Sequence, residues 1–451
     1  MLLYIFCVAV NLHTAWKTTK CNAYKINAYN EKKEGIKTMQ SLATRLWNRN
    51  FNLLVIGQII SLFGNMIISF ALPLYILQIS ESPALFGLVM GLPYISLLLL
   101  SPIGGILADR LRKQRVMFWL DASTTALILL YMLVSGLTTY IIPVVIVKLL
   151  ALNAIQGMYI PTVQASVPLL VPGEKLTSGN AVVGIVNSLS GMVGMAVAGF
   201  VFGRFGLTPI LIIGAICFAI TAVMDLLIRM PYKKLDSSGG VLNIVKEDLS
   251  QSVRYAVKEK PILAKVVLIV FFIVLMLSSI IMVGQPVLVN QYLGMGMEYV
   301  GISQSLMMIG ALAGGVIAGT MGEKLTIKKS FIVIAIGTIF IFLKGVIFMI
   351  ETPVFVAYVA VTVACAMILL TVQTFNVAAI TFVQKNTPSE IVGKVLSVIM
   401  VLPFLAQAIG QVLYGSLFEG FYSMPWIVII ATAILVAIIA LVSSIVIAKD
   451  A

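Results

Sequence analysis

Three ionisable side chains, Asp121, Lys148 and Asp225, lie within long apolar stretches of the chain. An ionisable group inside hydrocarbon is costly, so such residues pair with another group, face water or carry a function. A carboxyl group that is charged in only one state can take up and release a proton, so Asp121 and Asp225 are candidates for proton coupling. Lys148 lies too deep to reach a membrane surface easily, which predicts a role in substrate binding or gating, with a buried pair or a span shifted outward as the alternatives.

Residues for enzymatic chemistry are scarce. The only histidine is His13, so zinc hydrolysis, Ser-His catalysis and histidine proton relays are excluded from residue 39 onward. The four cysteines, Cys7, Cys21, Cys217 and Cys365, have neither metal-site nor redox-motif spacing. We therefore expect no enzyme activity, no cofactor and no metal site.

The composition is that of a membrane protein. Of 451 residues, 60% are hydrophobic and 10% charged, against about 25% charged in soluble domains. So few charges cannot cover a water-soluble particle, which predicts a chain that spans the membrane many times. The net charge of +13 is explained by bases in short loops, so we expect the lipid bilayer and not nucleic acid as the partner.

Residues 1–38 differ from the rest of the chain. Met1 begins a short apolar stretch that cannot span a bilayer, and a polar, lysine-bearing stretch follows. Lys33, Glu34 and Gly35 lie shortly before Met39. The codons for these three residues can form a bacterial ribosome-binding sequence a few bases ahead of a start codon at Met39. We interpret 1–38 as an extension from a misassigned start, with a disordered tail as the alternative.

Apolar periodicity from residue 39 predicts an all-α protein with twelve transmembrane helices. The predicted spans are 52–78, 84–108, 116–136, 140–160, 181–203, 207–229, 263–290, 299–321, 330–350, 354–379, 394–419 and 425–447. They divide into an N-terminal half at 39–230, a charged cytoplasmic linker at 231–262 and a C-terminal half at 263–451. Lysine and arginine concentrate in alternate loops, which predicts that both termini are cytoplasmic.

An internal repeat relates the two halves. The run Gly104 to Ala108 is echoed by Gly314 to Ala318, at an offset of 210 residues. Such parallel repeats are typical of transporters built from two similar six-helix halves. The repeat is asymmetric in charge, because Gly319 stands where the first half has Asp109.

The segment 104–115 combines two glycines, one acid and four bases in a tight turn between two spans. It resembles the loop between helices 2 and 3 of major facilitator superfamily transporters. The resemblance implies two six-helix halves that alternate access to a central cavity. It also implies that Asp109 packs against the start of helix 11, near Lys394, and controls the balance of inward and outward states. The implied conformational-switch loop comprises Gly104, Gly105, Asp109, Arg110, Arg112 and Lys113.

In that family helices 1, 4, 7 and 10 line the cavity. Polar residues on these spans are therefore candidate cavity or substrate residues: Gln58, Ser61, Asn65, Lys148, Asn153, Gln285, Gln373 and Asn376. The alternative for each is hydrogen bonding between helices. Asp225 and Arg229 are four residues apart at the end of span 6, so they can pair if the helix continues through both.

The segments 161–177 and 382–394 resemble the macrolide-efflux branch of the superfamily. This implies a monomeric, multi-pass permease of the bacterial cytoplasmic membrane that exports small amphipathic compounds, coupled to protons. Export of a siderophore or another metabolite is an alternative. A transport-inactive sensor or assembly protein on the same scaffold is an alternative of a different class.

Overall fold

The computed structural model of the protein is almost entirely helical. It describes residues 47–138, 140–172, 175–231, 260–321, 327–387 and 392–450, and no strand occurs in those ranges. The extension 1–38 and most of the linker 231–262 lie outside the described residues, so both remain predictions.

Twelve long helices follow one another in the described residues, and we number them in chain order. They are α1 Arg49–Ser80, α2 Pro83–Arg110, α3 Lys113–Ser135, α4 Ile141–Leu170, α5 Leu176–Phe205, α6 Leu207–Leu227, α7 Pro261–Tyr292, α8 Met297–Met321, α9 Ile327–Ile347, α10 Val354–Asn386, α11 Val392–Gly420 and α12 Pro425–Asp450. Helix α7 changes character near its end, where Leu288–Tyr292 forms a π-helical turn.

All twelve helices contain a stretch that is long and apolar enough to cross a membrane. A helix satisfies its backbone hydrogen bonds within its own segment, which is why apolar runs of this length fold as helices in lipid. The prediction of an all-α protein with twelve spans is confirmed.

Helix α4 is longer than predicted. The predicted span ended at residue 160, before Pro161, but the helix continues to Leu170 and contains both Pro161 and Pro168. Each proline removes only one backbone donor. The other backbone groups have no alternative partners in hydrocarbon, so the helix that satisfies them continues. The hydroxyls of Thr162 and Ser166 also donate to carbonyls of the preceding turn.

The internal repeat is present in the packing as well as in the sequence. A Cβ on Gly104 would lie 2.7 Å from the carbonyl oxygen of Met158, so α2 and α4 are in backbone contact. A Cβ on Gly314 would lie 3.0 Å from the Cα of Leu370, so α8 contacts α10 in the same way. Glycine permits this close approach between membrane helices.

The two ends of the bundle differ in charge. We call one the acidic end, because the helix ends and connections there carry Glu81, Glu298, Glu351 and Glu419. The opposite end, which carries the basic loop from Arg110 to Arg115, is called the basic end.

Candidate functional site

The two halves are joined by hydrogen bonds at the acidic end. Glu419 on α11 accepts hydrogen bonds from the hydroxyl of Ser82 and, at 3.0 Å, from the backbone N–H of Ala84. The carboxylate of one half therefore caps the N-terminus of α2 in the other, where unpaired N–H groups favour negative charge. Beside it, Gln291 of α7 donates to the carbonyl oxygen of Glu81 at 3.0 Å.

Two glycine pairs bring the halves into backbone contact. A Cβ on Gly87 of α2 would lie 2.8 Å from the Cα of Gly415 on α11. A Cβ on Gly199 of α5 would lie 2.8 Å from the backbone nitrogen of Gly301 on α8. Gly199 and Gly415 are equivalent positions in the repeat, so two related contacts close the acidic end.

Contact between the halves continues towards the middle of the bundle. The hydroxyl of Ser305 on α8 donates to the carbonyl oxygen of Met192 on α5 at 3.0 Å. The rings of Tyr94 on α2 and Phe404 on α11 stack with centroids 6.1 Å apart. In this structure the path between the halves is therefore closed from the acidic end to about the level of this aromatic pair.

Asp121 and Asp225 face each other inside the N-terminal half, where α3 packs against α6. They are 1% and 2% exposed, and Oδ2 of each has no hydrogen-bond partner among the described residues. The hydroxyls of Ser61 and Thr221 lie next to the Asp121 carboxyl. The Thr221 hydroxyl also donates to the carbonyl oxygen of Phe218. We call Ser61, Asp121, Thr221 and Asp225 the carboxyl cluster.

Tyr159 on α4 borders the carboxyl cluster. Its buried hydroxyl faces Asp121, Asp225 and Ser61, and it accepts a hydrogen bond from Nε2 of Gln58 at 3.0 Å. Neither carboxyl is neutralised by a lysine or arginine of the described chain. Two ionised carboxylates buried together would carry a large free-energy cost. The cluster is therefore suited to binding and releasing a positive charge.

The predicted pair between Asp225 and Arg229 does not form. Helix α6 ends at Leu227, so the two residues do not share a helical turn. The backbone N–H of Arg229 instead donates to the side chain of Asn50, at 3.2 Å. The prediction was wrong because the four-residue spacing implies a contact only where the helix continues.

Lys148 lies about two turns from the acidic end of α4 and is 2% exposed. Its Nζ atom is 4.1 Å from the centroid of the Tyr131 ring on α3 and has no hydrogen-bond partner among the described residues. A cation over an aromatic face is stabilised by the ring quadrupole. In this state Lys148 is thus covered within the N-terminal half.

The C-terminal half contains a second buried lysine within a hydrogen-bond chain. Lys344 Nζ donates to Cys365 Sγ at 3.1 Å, and Cys365 donates to Gln285 Oε1 at 3.1 Å. Gln285 Nε2 then donates to the hydroxyl of Ser303 at 2.8 Å, and Thr362 donates to the same hydroxyl at 3.1 Å. This chain joins α7, α8, α9 and α10 and places the predicted cavity residue Gln285 in the interior of its half.

The other predicted cavity residues lie in different environments. Asn65 accepts a long hydrogen bond from Ser69 at 3.4 Å, and Asn153 donates to the carbonyl oxygen of Leu149 one turn earlier. Gln373 is half-buried. Gln58 and Ser61 are buried, whereas Asn65, Asn153 and Gln373 are half-buried, so the predicted cavity residues differ in their exposure.

A small apolar groove with a volume of about 30 Å³ lies between α7, α10 and α11. Its lining residues are Val266, Val267, Val270, Asn376, Ala379, Ile380, Val383 and Pro403. Asn376, predicted as a cavity residue, is the one polar side chain among them and is exposed. Ligand sites have volumes of about 300–1,000 Å³, so this groove is too small in this structure to enclose a drug-sized ligand.

The predicted switch loop is described in part. Gly104 packs against Met158 of α4. Arg110 and Arg112 are exposed, and each interacts with another group. Lys113 begins α3. The side chains of Asp109 and of the first turns of α11, and the surroundings of Gly105, are not described, so the predicted contact between Asp109 and α11 stays a prediction.

Sequence reasoning did not identify several residues of these sites. Lys344 and Glu419 were visible as isolated charges next to apolar spans, which was a usable signal. Tyr159, Thr221 and Cys365 carried no such signal, because their roles depend on which helix faces them.

The chain is similar to known proteins in family, sequence and fold. The family model described as Major Facilitator Superfamily matches residues 54–411. Macrolide efflux protein A of Streptococcus pyogenes is 22% identical over 395 residues, which cover 86% of this chain and 94% of that protein.

Solved structures of transporters share the fold. The nucleoside transporter NupG has a TM-score of 0.69 at 14% identity, covering 88% of this chain and 98% of that chain. A bacterial homologue of the iron transporter ferroportin in an inward-facing state has a TM-score of 0.66 at 16% identity, covering 88% and 98%. At such identities the likeness shows the fold alone.

Proposed function

The chain belongs to the Major Facilitator Superfamily, and we propose that it exports small amphipathic compounds of the macrolide type, by alternating access coupled to protons. Membership of this family makes the chain a multi-pass membrane transporter of a small molecule rather than an enzyme. The exported compound, the direction and the coupling ion are parts of the proposal.

The closed acidic end is the observation that carries the mechanism. The halves meet there through two glycine pairs and a few hydrogen bonds from Glu419 and Gln291. Contacts of this kind are small enough to break and re-form as rigid halves rock against each other.

The membrane orientation follows from the positive-inside rule. The basic loop that includes Arg110, Arg112 and Lys113 belongs on the cytoplasmic side, with both termini. The acidic end then faces outward, and this structure is closed to the outside. We place the protein in the bacterial cytoplasmic membrane, acting as a monomer.

The direction of transport is inferred from the relative. The alignment with macrolide efflux protein A covers most of both chains. We therefore infer export, and a macrolide-like substrate, from that relative. The aliphatic side chains around Asn376 would offer an apolar surface to such a compound once the halves move apart.

We assign proton coupling to the carboxyl cluster. Asp121 and Asp225 are buried in the N-terminal half without a neutralising base among the described residues. Binding of one proton lowers the cost of their burial, and its release can accompany a change in the packing of α1, α3 and α6 around them. The gradient would thereby favour one state of the transporter over the other.

Export of an acidic metabolite, such as a siderophore, is the second candidate. Lys148 and Lys344 are buried, and their Nζ atoms contact a tyrosine ring and a thiol rather than a carboxylate. A buried ammonium group without a carboxylate partner would favour a substrate with negative charge.

A drug panel on a pump-deleted host, with and without this gene, tests the proposal. We expect higher resistance to macrolides and lower cellular accumulation, both abolished by an uncoupler and by Asp121→Asn. Thr124→Val is the matched control, because Thr124 is buried on the same helix and its hydroxyl donates only to its own α3, at Leu120. Unchanged susceptibility to macrolides, dyes and siderophores at normal membrane abundance would exclude drug and siderophore export.

A further inference from the structure

One ionisable side chain takes part directly in closing the acidic end. The carboxylate of Glu419, on α11, accepts hydrogen bonds from the hydroxyl of Ser82 and, at 3.0 Å, from the backbone N–H of Ala84. Both donors belong to the N-terminal half, so these bonds form only while the two halves meet. A hydrogen bond to an ionised acceptor is stronger than one to a neutral acceptor. The charge on Glu419 therefore stabilises the closed state relative to the open one.

The start of α2 is arranged to bind the charged form of this carboxyl group. The oxygen of Ser82 already accepts a hydrogen bond from the N–H of Leu85 at 3.1 Å, as the N-cap of α2, and its own proton is given to Glu419. The N–H of Ala84 can only donate. Protonation of Glu419 leaves a neutral acceptor in place of a charged one. It also removes the attraction between the carboxylate and the positive N-terminus of α2.

One further acid and two tyrosines lie beside this contact. Glu81, at the end of α1, is exposed, and its backbone carbonyl, which does not titrate, accepts from Gln291 of α7 at 3.0 Å. The rings of Tyr292 on α7 and Tyr422, just after α11, pack with centroids 5.1 Å apart. Tyrosine hydroxyls stay protonated through neutral and acidic pH. The bond from Gln291 and the tyrosine pair are therefore not expected to respond to acid.

Another acid, Glu298, lies at the second contact between the halves. A Cβ on Gly203 of α5 would lie 2.6 Å from Oε2 of Glu298, so this carboxyl is also close to the interface. Glu298 belongs to the first turn of α8, which begins at Met297. The helix N-terminus that stabilises its charge is therefore its own, and it keeps this stabilisation in both states. Only Glu419 receives its stabilising donors from the opposite half.

We propose that Glu419 makes closure of the acidic end sensitive to acid, so that protonation of its carboxylate from outside favours the outward-open state. Closure favours the ionised form, so proton binding must favour opening, because the two effects are reciprocal. The inference rests on the proposed function, in which the acidic end faces outward and an exporter opens it to release its substrate. External acidity then promotes the release step.

The test measures opening directly and uses no macrolide. Spin labels at Leu137 and Glu351, which are exposed at the acidic end of opposite halves, report the distance in the full-length protein in nanodiscs. The pH is lowered from about 7.5 to about 4, the range in which carboxyl groups titrate. We expect the ratio of long to short distances to rise about fivefold and then to level off. A ratio that is independent of pH, or that falls on acidification, overturns the proposal.

Two variants assign the response to one carboxylate. Glu419→Gln keeps an acceptor oxygen but cannot titrate, so at neutral pH it should show the ratio that the parent reaches in acid, and acid should not change it further. Glu81→Gln is the matched control, because Glu81 is the neighbouring exposed acid, and it should respond as the parent does. A parent-like response in Glu419→Gln, or its loss in Glu81→Gln, would contradict the assignment.

The carboxyl cluster also binds protons in the proposed function, so its contribution needs separating. Asp121→Asn removes one of its carboxyl groups and leaves Glu419 in place, so the variant should keep the response to acid. Loss of the response in Asp121→Asn, together with its retention in Glu419→Gln, would assign it to the carboxyl cluster and overturn the proposal.

The outcome is separable from that of the drug panel. Opening by acid that depends on Glu419, in a protein without efflux, would remove the export function and keep the acid-sensitive contact. Efflux together with distances that ignore pH would keep the export function and remove the contact. In right-side-out vesicles, acid added outside should open the end, whereas opening by internal acid alone would contradict the outward position of Glu419.

Discussion

Replacing Gly415 by alanine should open the acidic end of the bundle. The added Cβ would lie 2.6 Å from the carbonyl oxygen of Pro83 and 2.9 Å from the Cα of Gly87, both in the opposite half. Ordinary contacts to a Cβ begin at 3.4 Å, and the atoms in the way belong to the backbone, so they cannot swing aside. The halves must therefore separate by roughly 0.5–1 Å, because a closely packed interface has no room for an extra methyl group.

The cost of this overpacking is about 1–3 kcal/mol. It falls only on the state in which the acidic end is closed, because Gly87 and Gly415 part when that end opens. A bias of this size shifts the equilibrium between the two states by about 5- to 150-fold. Gly315→Ala is the matched control, since Gly315 also lies within a long helix but has no atom within 4 Å of the added Cβ.

Distances between spin labels at Leu137 and Glu351 would measure the effect, because these exposed residues lie at the acidic end of opposite halves. Gly415→Ala should increase the population with a long distance, and Gly315→Ala should not. If both variants keep the parent distribution, the glycine pair does not limit closure, and the inferred role of the backbone contact is wrong.

Other residues give predictions of the same kind. Glu419→Ala removes the acceptor that caps α2 and should weaken closure of the acidic end by about 1 kcal/mol, visible as the same increase in label distance; Ser416→Ala, at an exposed position whose hydroxyl donates within α11, should not. Lys148→Met should lower efflux without lowering membrane abundance, because the buried cation over Tyr131 is lost while its apolar stem is kept; efflux equal to the parent would contradict a role for this charge. Asp109→Asn should change the ratio of inward to outward label distances and leave substrate affinity within about twofold, since the family resemblance places Asp109 at a switch loop rather than in the cavity; a large loss of affinity with an unchanged ratio would contradict that assignment.

The membrane helices could be predicted from the sequence because their signal is local. Runs of about twenty apolar residues require a helix in hydrocarbon, whatever surrounds them. The end of α4 was misjudged because Pro161 is a helix breaker in water, whereas the helix continues here to Leu170. Lipid offers no hydrogen-bond partners to backbone groups that a helix would leave free, so the helix continues past the proline.

The polar contacts could be predicted only as far as a helical face. Gln58 and Ser61 share a face of α1, as their spacing indicates, and the sequence predicted a cavity for that face. In the structure the two side chains meet Tyr159 and Asp121 of the same half. Periodicity identifies residues that need polar surroundings, but the rotation of the helix decides which partner they have.

Contacts between the halves had the weakest signal. In the sequence, Glu419 is one of several acids in the outer loops. In the structure it accepts a hydrogen bond from Ala84, which is 335 positions away in the chain. Gly87 and Gly415 are two among 35 glycines, and their importance depends on the backbone opposite each one. Such pairs require the relative position of two rigid bodies, which no local pattern contains.

The reciprocal movement of the two ends is the central claim, and paired label distances measure it directly. One pair at Leu137 and Glu351 reports the acidic end, and one at Leu111 and Gln384 reports the basic end; all four residues are exposed. On adding a macrolide and reversing the proton gradient in nanodiscs or vesicles, one distance should lengthen as the other shortens. Two distances that change in the same direction, or stay fixed while transport proceeds, would contradict alternating access in this protein.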